Sequence, residues 1–373
     1  MQDDQEGREY ARSGVDYTKI KGFKDLMIEV GKSTLQFSER RKVIVQAGGH
    51  GGSFDYVGSN PHKCTSTTEG LGNKNWIAEW MYRFSGMGRT FYEWIGWDTA
   101  LMAVNDVIAS GALPFMYTDE VAAGDSDWFT DLRRAKDLAE GFYRVCKAVG
   151  MALPAGESPS LRFLVNSLPP VESCPTLSGC VTGIIAPKYR EIVEGLTRGG
   201  DRIIGVTSSG LHCNGISLVI DQALTLPEQF MTRLPNGNTL GEEALIPTRS
   251  YVALVEALLK AEVEIHSLVP ATGDGVSKVA FDKQPLTYRI GEWPNVPPLF
   301  QFMRELGVSL KGCLKTFNWG VGYFVIVPPE EVNRVIDLGH GAGYSLTEIG
   351  QIEEGERKVF FEPEGIELEP PGE

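Results

Sequence analysis

Between residues 98 and 149 the hydrophobic period changes twice, an alternation that limits the chain to folds in which helices are layered on a sheet. Leu101, Val104, Val107 and Ile108 recur at three- and four-residue steps, one face of a helix that begins at Asp98 as N-cap and closes at Gly111. Residues 113–117 then read as a strand running into Asp119-Glu120. Leu132, Ala135, Leu138, Phe142 and Val145 mark a second amphipathic helix over 130–149. Upstream, Leu26, Val30 and Phe37 predict a helix over 23–37, with a strand starting at 43–45. The second half continues in this style without repeating sequence. Strands are expected at Arg202–Thr207 and Val321–Val327 and around Ile349 and Phe360, with helices over 216–224, from 247 onward and over 329–338. The expected class is mixed α/β (α+β).

A chain of 373 residues exceeds what one hydrophobic core comfortably serves, so two domains are expected, 1–186 and 187–373, divided at Pro187 after the strand-like run 178–186. The acidic, proline-containing tail from Glu362 is expected to be disordered. A net charge of −14 argues against a nucleic-acid binder, whose affinity rests on clustered Lys and Arg. No run reaches the roughly 18 apolar residues of a membrane helix. Residues 1–12 are polar and lack the apolar centre of a signal peptide. Cys64, Cys146, Cys174, Cys180, Cys213 and Cys313 are scattered without CxxC spacing, so reduced thiols in a cytoplasmic protein are expected.

Several loops carry chemistry. Residues 65–74, Thr-Ser-Thr-Thr-Glu-Gly-Leu-Gly-Asn-Lys, combine hydroxyls, one carboxylate, two glycines and a lysine. Such a set suits either a surface turn or a phosphate bridged to the carboxylate by a divalent cation. Gly48, Gly49, Gly51 and Gly52 surround His50 and read as a mobile loop. Glu69, Asp98, Asp106 and Asp119 stand at expected element ends, Asn105 falls on the Asp98 side of its helix, and Glu157 follows a strand-like segment. The turn 208–215 before a helix suits an anion, and His212 within it is either an acid–base group or a capped turn residue. A second glycine turn spans 271–275. The aromatics between Trp76 and Trp97 read as packing in preference to base stacking.

Together these loops resemble one family, the phosphoribosylformylglycinamidine cyclo-ligases, also called aminoimidazole ribonucleotide synthases. The resemblance runs from about Tyr10 to Phe361. Thr68-Glu69-Gly70-Leu71-Gly72-Asn73-Lys74 is similar to the family's TDGVGTK, and 208–215 to SSGPHSNG. Val104-Asn105-Asp106, Thr118-Asp119, Gly156-Glu157-Ser158, Pro247-Thr248-Arg249 and 316–322 add to it. The resemblance implies a two-domain fold, a homodimer whose N-terminal sheets combine, and ring closure of formylglycinamidine ribonucleotide with ATP and magnesium in purine biosynthesis.

Carried over residue by residue, it implies Glu69, Asp98, Asp106 and Glu157 for the metal, and Lys74, Asp98, Asp106 and His212 for catalysis. Gly48, Gly49, Gly51, Gly52, Thr68, Glu69, Gly70, Gly72, Asn73, Lys74, Asn105 and Asp119 would hold the nucleotide. Ser209, Gly210, His212, Asn214, Thr248, Arg249, Thr272, Gly273 and Gly275 would hold the substrate. The departures are Glu69 and Asn73 within TDGVGTK, Pro270 to Gly275 where the family has HITGGG, and 155–163 in place of GGETAEMPG. Two alternatives stay open: a small-molecule kinase of the same fold, acting on thiamine monophosphate or selenide, and a non-catalytic nucleotide-binding dimer.

Overall fold

The computed structural model describes residues 11–49 and 51–372. Most of the polar stretch 1–12, with Tyr10 and His50, lies outside the described residues. The chain divides into two compact units, one of 1–60, 64–104 and 114–184, the other of 61–63, 105–113 and 185–373.

The first unit opens with α1, Tyr17–Thr34, capped by the Asp16 carboxylate, which accepts from Thr18 N. An antiparallel hairpin follows, β1 Val43–Gly48 and β2 Gly51–Tyr56. Next come β3 Lys63–Gly70, α2 Lys74–Phe84, α3 Tyr92–Val107, β4 Leu113–Ala122, α4 Leu132–Val149, β5 Ala152–Glu157 and β6 Thr176–Ile185. Four strands form a sheet in the order β3-β6-β4-β5. β4 and β5 run parallel, which requires the crossover that α4 supplies. Asp131 caps α4 by accepting from Arg133 N and Arg134 N, and its apolar face, from Ala135 to Val149, is buried. Helices α3 and α4 touch backbone to backbone: a Cβ on Gly96 would overlap Leu138 O, and one on Gly141 would overlap Glu93 O.

Four expectations change here. The helix starts at Tyr92, so Asp98 lies in mid-helix and not at its cap; Tyr92 and Ile95 extend the buried face upstream. The glycine stretch is the tip of a hairpin, because ladder pairs Ala47↔Gly52 and Gly48↔Gly51 hold it extended. Residues 65–70 are strand in place of a turn, as the β-branched Thr65, Thr67 and Thr68 favour. The tail is ordered to 372, since Ile366–Leu368 pairs with Lys358–Phe361, Leu368 is buried, and Lys311 and Lys315 each reach Glu369 at 2.8 Å.

The second unit holds a sheet of seven strands in the order β13-β12-β9-β11-β7-β10-β8. These are β7 Arg202–Thr207, β8 Ser267–Pro270, β9 Leu286–Ile290, β10 Val321–Val327, β11 Leu346–Glu354, β12 Lys358–Phe361 and β13 Ile366–Leu368. Both neighbours of β7 are antiparallel to it, and every residue of β10 is buried, so the sheet is covered on both faces at β10. Its longer helices are α5 Ile216–Thr225, α6 Leu240–Ala244, α7 Val252–Lys260, α8 Pro298–Glu305, α9 Leu310–Thr316 and α10 Val332–Gly341. No described helix is long and apolar enough to cross a membrane. All six cysteines are free thiols.

The aromatic stretch is packing. Trp76, Trp80, Phe91 and Tyr92 are buried, and Tyr92 packs against Trp128 beside a buried charge that sequence reasoning did not single out. Glu79 is fully buried and accepts from Tyr92 Oη at 2.7 Å, Trp128 Nε1 at 2.8 Å and Arg134 Nη1 at 2.8 Å. Arg134 also donates to Trp128 O. Removing one partner of a buried ion pair strands the other, at a cost of about 3–5 kcal/mol. Glu79→Ala is therefore expected to lower the unfolding free energy of this unit by about that amount, whereas exposed Glu140→Ala shifts it by less than about 1 kcal/mol. Chemical denaturation of the two variants checks the difference.

Candidate functional sites

In the first unit a cavity of about 420 Å³ opens among α1, the hairpin tip and the end of β5. Its walls include Lys24, Ile28, Lys32, Gly48, Asp119, Gly156, Glu157 and Ser158. The parallel ladder sets Asp119 opposite Gly156 and Glu120 opposite Glu157. A Cβ on Gly156 would overlap Asp119 Oδ1, so glycine at 156 is what lets the Asp119 carboxylate lie across β5. Asp119 is 7% exposed, and its buried Oδ1 has no hydrogen-bond partner among the described residues. Burial, with the Glu157 charge adding to it, pushes this carboxyl up to about 7. Glu157 accepts from Ser158 N at 2.8 Å and lies 3.8 Å from Lys24 Nζ.

Gly48, Asp119 and Glu157 are thus brought together, while other expected ligands of that site are not. Lys74 and Asp98 are both fully buried and paired with each other at 2.6 Å. An ammonium so placed neutralises a carboxylate, and neither group lines the cavity. Thr68, Glu69 and Gly70 sit on the sheet's edge strand β3, with Gly72 and Asn73 exposed in the turn that follows. None of these lines the cavity. Among the described residues no three His, Cys, Asp or Glu side chains gather as a metal cage.

In the second unit the expected substrate residues do converge. The turns after β7 and β8 flank the start of β10: Ser208 N donates to Gly320 O at 2.9 Å and Ala271 N to Gly322 O at 3.1 Å. This gathers Ser209, Gly210, His212 and Asn214 with Thr272, Gly273 and Gly275 at one end of the sheet. Ser209 Oγ donates to Pro247 O at 2.6 Å, and Thr248 Oγ1 lies 3.3 Å from Cys213 Sγ, joining the 247–249 loop to the same turn. Arg249 donates to Thr207 Oγ1 at 3.2 Å and Gly343 O at 3.0 Å, with its guanidinium over the Tyr344 ring.

His212 is buried in a left-handed conformation (φ 60°), and its Nε2 faces Ser209 N at 3.3 Å and Arg249 N at 3.5 Å. An Nε2 that accepts from two backbone amides holds the turn. Asn105, expected at the nucleotide, instead spends its amide on the loop: Nδ2 donates to Arg249 O at 2.9 Å and Oδ1 accepts from Tyr251 N at 3.2 Å. Asp106 lies beside Tyr323, whose phenol is held well above its usual range by burial first and the Asp106 charge second. Sequence reasoning missed Asn318, whose Nδ2 donates to Gly210 O at 2.8 Å and Leu211 O at 3.1 Å while Oδ1 accepts from Gly320 N. Its place in 316–322 was the available signal.

Residues 57–185 match the AIR synthase related protein N-terminal domain, and residues 198–362 match the C-terminal domain of the same family. The chain belongs to the AIR synthase-related family. Within it, phosphoribosylformylglycinamidine cyclo-ligase of Rippkaea orientalis is 31% identical over 362 residues, covering 95% of this chain and 99% of that protein. The enzyme of the same name from Desulfotalea psychrophila is 32% identical over 372 residues, 95% of this chain and 97% of that one. Among solved structures, thiamine-monophosphate kinase from Stenotrophomonas maltophilia superposes with a TM-score of 0.59 at 17% identity, covering 91% of this chain and 97% of that one. The hydrogenase maturation protein HypE in complex with ATP gives 0.56 at 16%, covering 85% and 86%. At such identities the structural likeness shows the shared fold, and the relatives' names carry the distinction among its activities.

The Asp119 carboxyl gives a pH test. Because its folded value lies above the usual 3.8, it favours the fold while protonated, a contribution complete below about pH 4 and lost as pH rises through about 7. In divalent-free buffer without nucleotide, the unfolding free energy of the native protein should fall relative to Asp119→Asn by at most about 4 kcal/mol between pH 4 and 8. Parallel pH profiles in urea denaturation would show that Asp119 titrates normally.

Proposed function

We propose that this chain closes the imidazole ring of formylglycinamidine ribonucleotide, consuming ATP and releasing aminoimidazole ribonucleotide, ADP and phosphate. The observation that carries this reading is the full-length likeness, 31% identity over 95% of this chain and 99% of the partner, to proteins named for that reaction. An amide-type oxygen is a poor leaving group. Transfer of the terminal phosphoryl group makes that oxygen leave as phosphate when the neighbouring nitrogen attacks the carbon and gives up its proton.

In this reading the first unit holds ATP in the cavity beside Asp119 and Glu157. Asp119 inside β4 and Glu157 at the end of the parallel strand β5 suit magnesium, which takes one or two protein oxygens and fills its other positions with water and phosphate oxygens. The partnerless Oδ1 of Asp119 is the donor atom that fits it. The bound ion would neutralise phosphate charge as it transfers. Gly48 places a backbone without a side chain at the opposite wall.

The second unit holds the ribonucleotide on the turns 208–215 and 272–275. His212, Asn105 and Asn318 fix the backbone of those turns and of the 247–251 loop, so the chain supplies positioning and leaves stabilisation of phosphate charge to the bound ion. A homodimer through the first unit's sheet is part of the reading: β3 is an edge strand of eight residues with alternate side chains exposed, an open ladder that a second copy could cover. Free thiols throughout fit a cytoplasmic site of action.

Purified protein supplied with formylglycinamidine ribonucleotide, ATP and magnesium is expected to form aminoimidazole ribonucleotide and ADP in equal amounts. ADP release with thiamine monophosphate and none with the ribonucleotide would overturn the reading in favour of a kinase. Asp106→Asn should lower kcat by about a hundredfold or more, the scale of losing one charged group that organises phosphoryl transfer. Near-native turnover would remove Asp106 from the machinery.

A further inference from the structure

The cavity of the first unit contains two cations that the ring-closing reading leaves unused. Lys24, Met27, Ile28, Gly31 and Lys32 all line it. They fall at i, i+3, i+4, i+7 and i+8, one continuous face of α1. That face is held in register by close packing, since a Cβ on Gly31 would meet Leu153 O at 2.6 Å. Eight residues of helix separate the two lysines by roughly 12 Å, so they stand toward opposite ends of the cavity. Lys24 is at the end where β5 finishes, 3.8 Å from Glu157 Oε1, with the two side chains 41% and 66% exposed. An ion pair this open, beyond hydrogen-bond reach, adds little to stability and is exchanged at little cost. On the same wall Asp119 presents a buried oxygen with no partner among the described residues. Carboxylates alone would repel a triphosphate; an ammonium beside them is what allows a metal-bound polyphosphate to settle there.

We propose that Lys24 binds the terminal phosphate of the nucleoside triphosphate, leaving Glu157 to do so, and that Lys32 contacts the nucleotide at the far end of the same cavity. The assignment rests on the ATP reading given above. The exchange is electrostatically balanced: a cation at Glu157 replaces the charge that Lys24 withdraws, and the phosphate replaces the carboxylate that Lys24 loses. Met27 and Ile28, between the lysines, give the middle of the cavity an apolar wall.

Calorimetric titration of the full chain with ATP and magnesium, and with inorganic tripolyphosphate and magnesium, tests it. Lys24→Met is expected to weaken both ligands about tenfold to a hundredfold, the loss of one charge-assisted contact. It should raise KM for ATP while leaving KM for the ribonucleotide unchanged, and Lys24→Arg should recover part of the affinity. Lys32→Met should weaken ATP but not tripolyphosphate. Lys21→Met, on the same helix but paired with Asp25 and off the cavity, is the control and should match the native protein. Native affinity for both ligands in Lys24→Met overturns the lysine assignment and leaves the ATP reading standing. Failure of the native protein to bind ATP at all overturns both.

Discussion

Asp119 lies opposite Gly156 in the parallel ladder of β4 and β5, and its carboxylate occupies the volume that any side chain at 156 would take. The rest of the first unit's cavity depends on that arrangement. The parallel register exists because α4 returns the chain across the sheet, and α4 lies close enough to α3 to do so because Gly96 and Gly141 let the two backbones touch. The carboxylate is then buried without a full set of hydrogen bonds, which raises its proton affinity. A cost of this kind survives in a fold when a ligand repays it.

The buried charges divide into two kinds. Lys74 with Asp98, and Glu79 with Arg134, meet opposite charges inside the fold and are fully covered. Such pairs return little net stability, but breaking one is expensive, so they fix how helix α2 faces α3 and α4. Among the described residues Asp119 has no cation at hydrogen-bond range, and Lys24 and Glu157 are only loosely paired. Groups left in that state are the ones free to answer a ligand.

The fold was largely legible because period and punctuation agree over most of the chain. Arg202–Thr207 and Val321–Val327 fall where their apolar runs put them, and the helix 130–149 was marked by its apolar face. Errors came where one local rule met a stronger long-range one. Glycines at 51 and 52 are poor strand formers, but pairing with β1 outweighs their entropy. Acidic residues after 362 look disordered until Lys311 and Lys315 are seen to hold Glu369. The site was half legible. The second-unit turns 208–215 and 272–275 are contiguous motifs at strand ends, and strand ends are where they meet. The lysine row on α1 was invisible, because a lysine facing a cavity and one facing solvent have the same spacing; Lys21 and Lys24 differ only in what stands opposite.

The departures from the family pattern bear on whether the chain retains its chemistry. Glu69 carries one methylene more than the family's aspartate, but it sits on the edge strand and not on the cavity wall, so the change does not alter the carboxylates at β4 and β5. Asp274 stands where the family has glycine, and its backbone is left-handed at φ 70°. Aspartate is among the few residues that tolerate that conformation, so the turn keeps its shape. The charge it adds is exposed, on the solvent side of a turn whose next residue, Gly275, is buried against the backbone of Leu314 and Phe317. Water screens a carboxylate at such a position far more than a buried one, so a phosphate held by the backbone of the turn feels little of it. Pro270, buried in β8 opposite Tyr323, replaces the histidine of the family's HITGGG and removes a side-chain donor there, whereas Glu69 and Asp274 remove none.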